Sequence, residues 1–302
     1  MHYLDEGGQA PPVLMLHGNP SWCFYYRNLV RALSNTHRCI VPDYIGMGLS
    51  DKPGDAAYAY TLSQRIDDLE ALLVSLELRE PLTLVVHDWG GMIGLGWAVR
   101  HPEQVARLVI LNSAAFPLPP GKRFPWPLRL TRTPLGALLV RGLNAFSWGA
   151  TRVGCKRKKM APDIARAYTA PYDSWKNRIA TLRFVQDIPL GPADPGFALV
   201  QDVARNLHRF RETSALIAWG AKDFVFDEPF LRQWREHLPQ AKVQLVPDAG
   251  HYVLEDAAEE VVPLIAEFVR SSHAREEPHD RHPAPRTLQH RRLPSGTGPP
   301  PA

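Results

Sequence analysis

A chain of 302 residues, of which 45% are hydrophobic and 22% are charged, is long enough to bury one large core. The formal net charge of +4 comes without a nucleic-acid-binding motif, so we expect no nucleic acid as a partner. No run of about 18 apolar residues occurs, so no helix is expected to span a membrane. Three cysteines without paired spacing, Cys23, Cys39 and Cys155, argue against a disulfide framework and against a zinc site. These thiols and the polar residues 1–8 favour a cytoplasmic protein.

The first part of the chain alternates predicted strands with predicted helices. Apolar, β-branched stretches indicate the strands, which are expected at 2–6, 13–16, 39–41, 82–86 and 108–111. Segments with an apolar stripe indicate the helices, which are expected at 22–33, 61–76 and 92–100. This alternation predicts an α/β fold with a mostly parallel sheet that is flanked by helices.

The pattern changes between residues 114 and 198, where proline and aromatic residues are dense and no β-branched stretch occurs. Helical pieces are expected there at 136–146 and 162–169. An insertion of helices between two strands of a sheet is typical of a cap over an active site.

The alternation of strands and helices resumes after this insertion. Strands are expected at 215–219 and 243–246, and helices at 228–238 and 256–269. The predicted domains are a core of residues 1–113 and 199–270, a helical cap of residues 114–198 and a tail of residues 271–302. The tail contains no isoleucine, valine or aromatic residue, so we expect it to be disordered.

One sharp turn is central to the sequence. A predicted buried strand leads into Asp88, and small residues at Gly90, Gly91 and Gly94 follow in the next helix. This order is the context of a nucleophile elbow, in which the residue at the tip is usually serine. An aspartate at the tip indicates a carboxylate that attacks carbon and leaves an ester on the enzyme. The alternative is a structural aspartate that caps the helix.

Two residues further along the chain are expected to complete a catalytic triad. The order Asp88, Asp223, His251 is that of nucleophile, acid and histidine in α/β-hydrolases. All three follow predicted strands, whose carboxyl ends meet at one edge of a parallel sheet. Asp223 is expected to hold the tautomer of His251 and to stabilise its imidazolium form. Asp227 is the second choice for the acid, and Asn112 cannot serve as an anion.

Asn19 and Trp89 are the candidate anion donors. Their backbone N–H groups are expected to form an oxyanion hole, because they lie after a strand and directly after the elbow residue. Their side chains add an amide and an indole N–H, two neutral donors that suit a leaving halide or carboxylate.

Several segments resemble the haloalkane dehalogenase family of α/β-hydrolases. They are residues 17–22 (HGNPSW), 43–50, 87–91 (HDWGG) and 250–251. The likeness covers residues 1–270, and an acid at Asp223 with an Asn–Trp donor pair resembles the third subfamily. That family normally carries residues ahead of position 2. We therefore expect either a start codon chosen too far downstream or a missing edge strand that leaves the site intact.

Residues 114–122 and 170–190 are similar to the β-lactone decarboxylases of bacterial long-chain olefin biosynthesis. This resemblance implies conversion of a cis-dialkyl β-lactone to an alkene and carbon dioxide, with no cofactor and no metal. Asp88 would attack the ring carbon that bears oxygen, or alternatively the carbonyl carbon. The released carboxylate would face Asn19 and Trp89. His251 would assist proton handling or regenerate Asp88.

Aromatic residues of the predicted cap are expected to line a channel for the alkyl tails of a hydrophobic substrate. They are Phe116, Trp126, Phe146, Trp148 and Trp175. Arg178 and Arg183 are candidates to hold carboxylate charge, although a solvated face is the plainer interpretation. The basic run at 155–159 is ordinarily a solvated face, and the alternative is a docking site for an acidic partner or a membrane surface. This run and the tail leave room for a partner surface, such as one for other enzymes of a hydrocarbon pathway.

Three alternatives to decarboxylation stay open. In haloalkane dehalogenation, Asp88 displaces halide and a water activated by His251 hydrolyses the ester, so the residues are the same. Epoxide hydrolysis is weaker and would use Tyr168 and Tyr172 as acids. A non-catalytic receptor with a hydrolase fold has no need of a buried triad, so Asp88, Asp223 and His251 argue against it.

Overall fold

The computed structural model describes residues 1–8 and 10–271. The predicted disorder of the tail falls outside the described residues from position 272 onward. No helix of the described part is long and apolar enough to cross a membrane.

One sheet of seven strands organises the described part of the chain. Its strands are β1 Tyr3–Gly7, β2 Ala10–Leu16, β3 His37–Pro42, β4 Leu82–Asp88, β5 Val105–Ser113, β6 Ser214–Gly220 and β7 Lys242–Val246. The spatial order is β1-β3-β2-β4-β5-β6-β7. β1 pairs antiparallel with β3, and all other neighbouring pairs are parallel. The predicted mostly parallel sheet is confirmed.

Helices flank this sheet. In the first part of the chain they are α1 Arg27–Leu33, α2 Leu62–Ser75 and α3 Trp89–Ala98. Between β5 and β6 they are α4 Trp126–Thr131, α5 Pro134–Leu143, α6 Ala145–Val153, α7 Pro162–Thr169, α8 Ile179–Gln186 and α9 Phe197–Asn206. After β6 they are α10 Glu228–His237, α11 Val253–Asp256 and α12 Ala258–Arg270.

The two faces of the sheet pack against different helices. Along β2, Leu14 and Leu16 belong to one apolar cluster, which includes Ile66 of α2. Val13 and Met15 belong to the other cluster, together with residues of α1 and α12. Successive side chains of a strand point to opposite faces, so a strand covered on both faces must be apolar throughout.

Two predicted helices are interrupted in the structure. The helix expected at 136–146 ends at Leu143, because Asn144 adopts a left-handed conformation with φ of 55° and starts a new helix. The amide of Asn144 donates to the carbonyl of Tyr172, which holds the corner in place. The closing helix likewise breaks at Ala257, between α11 and α12.

Candidate active site

Asp88 stands at a strained corner between β4 and α3. Its φ of 50° and ψ of −120° lie outside the regions that non-glycine residues usually adopt. The glycines that follow let α3 pass close to the sheet, since a Cβ on Gly90 would lie 2.1 Å from the carbonyl oxygen of Leu16. The hydroxyl of Ser113 donates to the carbonyl of Asp88 at 2.6 Å and fixes the corner from β5.

His251 lies between the two predicted carboxylates. Its Nδ1 is 2.8 Å from Oδ2 of Asp223, and its Nε2 is 3.8 Å from Oδ2 of Asp88. The other oxygen of Asp223 accepts the backbone N–H of Val225 at 2.7 Å, which orients the carboxylate. The loops after β4, β6 and β7 thus bring Asp88, Asp223 and His251 together at the carboxyl edge of the sheet.

The second oxygen of Asp88 is held by the backbone. Oδ1 accepts the N–H of Asn19 at 2.7 Å, and the N–H of Trp89 also hydrogen-bonds to this carboxylate. Burial raises the pKa of Asp88 above its ordinary value, although His251 and these two N–H groups lower it in part. The two N–H groups expected to form an oxyanion hole therefore interact with the carboxylate of Asp88 itself.

The side chains of Asn19 and Trp89 both line the cavity above Asp88. The amide of Asn19 donates one of its hydrogens to the carbonyl of Thr181 at 3.0 Å, which ties it to α8. The indole of Trp89 packs edge-on against Phe184 of the same helix, with ring centroids 5.2 Å apart.

Arg65 is a site residue that the sequence interpretation did not single out. Its side chain is fully buried, and its guanidinium lies 5.1 Å from the ring centroid of Trp89 and 3.8 Å from that of Phe184. It pairs with Asp187 at 2.6 Å. The signal in the sequence is its position in the inner stripe of α2, three residues after Leu62.

His87 is a second residue whose contact with the site was not predicted. Burial lowers the pKa of His87 well below its ordinary value, so the ring is neutral. Its Nε2 lies 2.9 Å from the carbonyl oxygen of His251 and donates to it, while Nδ1 has no hydrogen-bond partner among the described residues. His87 therefore supports the loop that carries His251.

An apolar cavity of about 310 Å³ opens above Asp88 and His251. Phe116 and Phe146 line it, together with apolar residues of α4, α5, α6 and the loop before α10. The structure corrects the expectation for three other aromatic residues, because Trp126, Trp148 and Trp175 are 75%, 49% and 48% exposed and do not line this cavity. They lie on the outer sides of the inserted segment.

Lys122 and Asp227 form an ion pair at the wall of the cavity. Asp227, the second choice for the acid, is thus bound to Lys122, whereas Asp223 contacts His251. Asn112 is buried and exchanges hydrogen bonds with the backbone of Gly220, so it holds β5 to β6.

Four further candidates have structural partners. The hydroxyl of Tyr168 donates to Glu255, and that of Tyr172 donates to the carbonyl of Ser21. Neither tyrosine lines the cavity, so neither is positioned as an acid for an epoxide.

The two arginines of the inserted segment are also engaged. Arg178 donates to backbone carbonyls at 141, 142 and 172, and Arg183 pairs with Asp55 at 2.7 Å. Both therefore stabilise the inserted segment and do not line the cavity.

One group of potential metal ligands occurs among the described residues, formed by His2, Cys23 and Asp43. Nδ1 of His2 lies 2.8 Å from Asp43, whose other oxygen accepts the backbone N–H of Cys23. Burial and the neighbouring Asp43 raise the pKa of Cys23, so its thiol stays protonated and is a poor ligand. Hydrogen bonds account for this arrangement.

Comparison with known proteins shows the family to which this chain belongs. A family model described as the α/β hydrolase fold matches residues 11–258. A "Cis-3-alkyl-4-alkyloxetan-2-one decarboxylase" of Shewanella oneidensis is 60% identical over 270 residues, covering 89% of this chain and 85% of that protein. A protein of the same name from Xanthomonas campestris is 54% identical over 276 residues, covering 89% of this chain and 92% of that one.

Haloalkane dehalogenases are more distant relatives. One from Mycobacterium marinum is 31% identical over 276 residues, covering 88% of this chain and 87% of that protein. The crystal structure of a haloalkane dehalogenase from Bradyrhizobium elkani superposes with a TM-score of 0.77 at 26% identity, covering 90% of this chain and 94% of that one. The chain is an enzyme of the α/β-hydrolase fold family, in the group that contains the oxetan-2-one decarboxylases and the haloalkane dehalogenases.

Proposed function

We propose that this chain is a β-lactone decarboxylase, which converts a cis-3-alkyl-4-alkyloxetan-2-one to an alkene and carbon dioxide. The observation that carries the proposal is a buried carboxylate facing an apolar cavity, in a chain that is 60% identical to a protein named for this reaction. The cavity volume of about 310 Å³ and its lining by alkyl and phenyl side chains suit a molecule with two alkyl tails.

The reaction begins with attack by Oδ2 of Asp88 on the ring carbon that bears oxygen. The bond between that carbon and the ring oxygen breaks, and its electrons leave on the carboxylate that forms from the opened lactone. The strain of the four-membered ring is released in this step. The product is an alkyl ester of Asp88 that carries a carboxylate on the neighbouring carbon, close to the donors of Asn19 and Trp89.

The second step is a fragmentation that needs no water. The bond from the substrate carboxylate to its carbon breaks, and carbon dioxide leaves. The electron pair of that bond forms the alkene, while the ester bond to Asp88 breaks and returns its electrons to the carboxylate. The N–H groups of Asn19 and Trp89 stabilise the departing Asp88 carboxylate, since the N–H of Asn19 already donates to Oδ1 and both N–H groups lower the pKa of this carboxylate.

His251 and Asp223 supply charge to the second step. Their 2.8 Å contact favours the protonated imidazole, which places positive charge 3.8 Å from Oδ2 of Asp88. This charge stabilises Asp88 as the group that leaves in the fragmentation.

Haloalkane dehalogenation is the second candidate. It is favoured by the same 3.8 Å separation, which is too long for a hydrogen bond between Nε2 and Asp88. Esterification removes the charge of Asp88, which is one of the groups that raise the pKa of His251, so the neutral imidazole can then accept a proton from water at Nε2. That water would attack the carbonyl carbon of the Asp88 ester, and Oδ1 would carry the developing negative charge between the two backbone N–H groups.

Turnover in oxygen-18 water distinguishes the two reactions, because only one of them is expected to transfer the label to Asp88. The purified protein is supplied with a synthetic cis-dialkyl β-lactone or with a bromoalkane. After turnover, mass spectrometry measures the mass of the proteolytic peptide that contains Asp88. Decarboxylation is expected to release alkene and carbon dioxide without labelling Asp88, because the ester opens at its alkyl carbon. Dehalogenation would release bromide and place the label in Asp88.

The matched control for this experiment is Asp88→Asn, which is expected to abolish both reactions while the protein stays folded. Alkene production by the Asp88→Asn variant would overturn Asp88 as the nucleophile. Turnover of the bromoalkane with label in Asp88, and no turnover of the lactone, would establish the second candidate instead.

The remaining assignments belong to the same proposal. Residues 114–198 act as the cap, since their helices cover Asp88 and His251 in the described structure. A cytoplasmic location is supported by the free thiols of Cys23, Cys39 and Cys155. Partner enzymes of a hydrocarbon pathway would hand over a poorly water-soluble intermediate by direct contact.

A further inference from the structure

The segment from residue 114 to residue 162 has an unusual charge distribution. It contains ten lysine or arginine residues and no aspartate or glutamate. These residues are Lys122, Arg123, Arg129, Arg132, Arg141, Arg152, Lys156, Arg157, Lys158 and Lys159. A net charge of only +4 for the whole chain means that the rest of the protein is acidic by comparison.

Several of these cations have no acidic partner. Arg123, Arg129, Arg152, Lys156 and Lys159 are exposed, and none lies within ion-pair distance of a carboxylate in the described part of the chain. The guanidinium of Arg152 instead lies 4.2 Å from the ring centroid of the half-exposed Trp148. A cluster of positive charges without acidic partners attracts an anionic surface.

Large apolar side chains are exposed on the same helices. They are Trp126 and Leu130 on α4, Leu135, Leu138 and Leu143 on α5, and Trp148 and Val153 on α6, with exposed fractions from 37% to 75%. Together with the five unpaired cations, we call them the basic apolar face. Such a concentration of exposed apolar side chains on adjacent helices indicates a surface that is covered in use.

Helix α5 is the clearest case. It is apolar all round, with Arg141 as its single charged residue. Gly136, Leu139 and Val140 face the cavity, whereas Leu135 and Leu138 are 59% and 56% exposed on the other side. A helix that is apolar on both faces is usually buried on both faces, so the outer face of α5 lacks its partner.

We propose that the basic apolar face docks on an anionic lipid bilayer. Arginine and lysine beside tryptophan and leucine are the side chains that bind the interfacial region of membranes with negative headgroups. Trp148, Arg152, Lys159 and Arg166 line one surface groove, which suits a phosphate headgroup. The assignment does not depend on the reaction that Asp88 performs.

Two occupants other than a membrane fit less well. A second copy of this chain in a two-fold symmetric dimer would bring two basic faces together, and they would repel. The C-terminal segment 272–302 has five arginines against three acidic residues and only two leucines, so it offers neither opposite charge nor apolar area.

The cavity shares residues with this face. Leu130 and Val153 belong to the basic apolar face and also line the cavity. A bilayer on the basic apolar face would therefore lie beside the helices that form the cavity wall, which shortens the path of an apolar ligand from lipid to the cavity.

Vesicle flotation tests the proposal with the full chain. The wild type is expected to float with vesicles of phosphatidylcholine mixed with phosphatidylglycerol, and to float much less with pure phosphatidylcholine. High salt should release it from the mixed vesicles, because salt screens the attraction between exposed charges.

Two double variants test the two parts of the surface. Arg129→Gln with Arg152→Gln should lower the partition coefficient about five-fold for each charge removed. Leu135→Gln with Leu138→Gln should lower it about ten-fold for each leucine, if each is half-buried in the bilayer. The matched controls are Val74→Gln in α2 and Arg79→Gln between α2 and β4. Both residues are exposed and outside the basic apolar face, so these substitutions should leave flotation unchanged.

Thermal unfolding of each variant shows whether it is folded, and the exposed positions chosen should not change the midpoint. Equal flotation of the wild type and both double variants would overturn the proposal. Absence of flotation with either vesicle would also overturn it, and the surface would then be a contact for another protein.

Discussion

Nδ1 of His251 lies 2.8 Å from Oδ2 of Asp223, in a buried pair at the carboxyl ends of β6 and β7. Burial lowers the pKa of His251, but the charge and hydrogen bond of Asp223 and the charge of Asp88 together raise it above its ordinary value. The imidazole is therefore protonated over a wider pH range than a free histidine.

Asp223→Asn is expected to lower the pKa of His251, because it removes the largest of the groups that raise it. The measurement is a pH titration of the imidazole signals by NMR in both proteins. Asp227→Asn is the control, since Asp227 is in the same loop but pairs with Lys122 and does not raise the pKa of His251. An unchanged pKa in the Asp223→Asn protein would contradict the role of Asp223.

Gly18 controls the position of the Asp88 carboxylate. A Cβ on Gly18 would lie 2.1 Å from Oδ1 of Asp88, so Gly18→Ala must displace either the carboxylate or the loop that carries Asn19. A displacement of this size is expected to slow alkylation of Asp88 about 100-fold. The measurement is the single-turnover rate of adduct formation with a bromoalkane or a β-lactone.

The control for this substitution is Gly54→Ala, because no atom lies within 4 Å of a Cβ on Gly54. Gly54→Ala should unfold at nearly the same temperature as the wild type, whereas Gly18→Ala is expected to unfold at a lower temperature because of the overlap with Asp88. The alkylation rate of Gly18→Ala is therefore measured well below its unfolding midpoint. A wild-type alkylation rate in Gly18→Ala would show that the loop moves away without disturbing Asp88.

The corner at Asp88 and the proximity of Asp223 and His251 to it could be predicted because their signals are local. Glycines at 90 and 91 are required where α3 passes the sheet, and loops after parallel strands must meet at one edge. The inner strands were predictable for the same reason, since strands covered on both faces are largely apolar. The edge strands β1 and β7 carry mostly exposed side chains, and their signal was the alternation of strands and helices along the chain.

Positions set by packing between distant elements were not predictable. The sequence does not tell which aromatic residues of an insertion point inward, so Phe146 lines the cavity while Trp148, two residues later, lies outside. Arg65 contacts Trp89 only because α2 packs on α3, and a charged residue in a helix is ordinarily expected in solvent. Contacts of this kind are visible only in three dimensions.

Arg65 connects stability with the site. Arg65→Met would leave the partly exposed Asp187 without its partner, which is expected to lower the free energy of unfolding by about 2–3 kcal/mol, less than for a fully buried pair. The double variant Arg65→Met, Asp187→Asn should recover most of that loss, because no unpaired charge remains. Urea unfolding curves measure both effects.

The same double variant tests whether the Arg65 cation acts through the indole of Trp89. A cation on the ring face makes the N–H a stronger donor to an anion, so its loss should slow alkylation about ten-fold even in a folded protein. If the folded double variant alkylates Asp88 at the wild-type rate, Arg65 has a structural role only.

Gly149 offers a test of the cavity as the site for alkyl tails. It lies in the middle of α6 and lines the cavity, and no atom lies within 4 Å of a Cβ added there. The Cβ of Gly149→Leu therefore meets no atom, and the substitution is expected to stabilise the helix by about 0.5–1 kcal/mol, since glycine is a poor helix former.

The leucine would occupy volume that a long substrate needs. The specificity constant kcat/KM for long-chain β-lactones should fall by about ten-fold or more, while short-chain lactones should be affected little. Gly142→Leu is the control, because it gives the same gain in helix propensity on α5 without lining the cavity. A uniform loss at every chain length would mean that Gly149→Leu disturbs Asp88 or His251, and an unchanged preference would place the alkyl tails elsewhere.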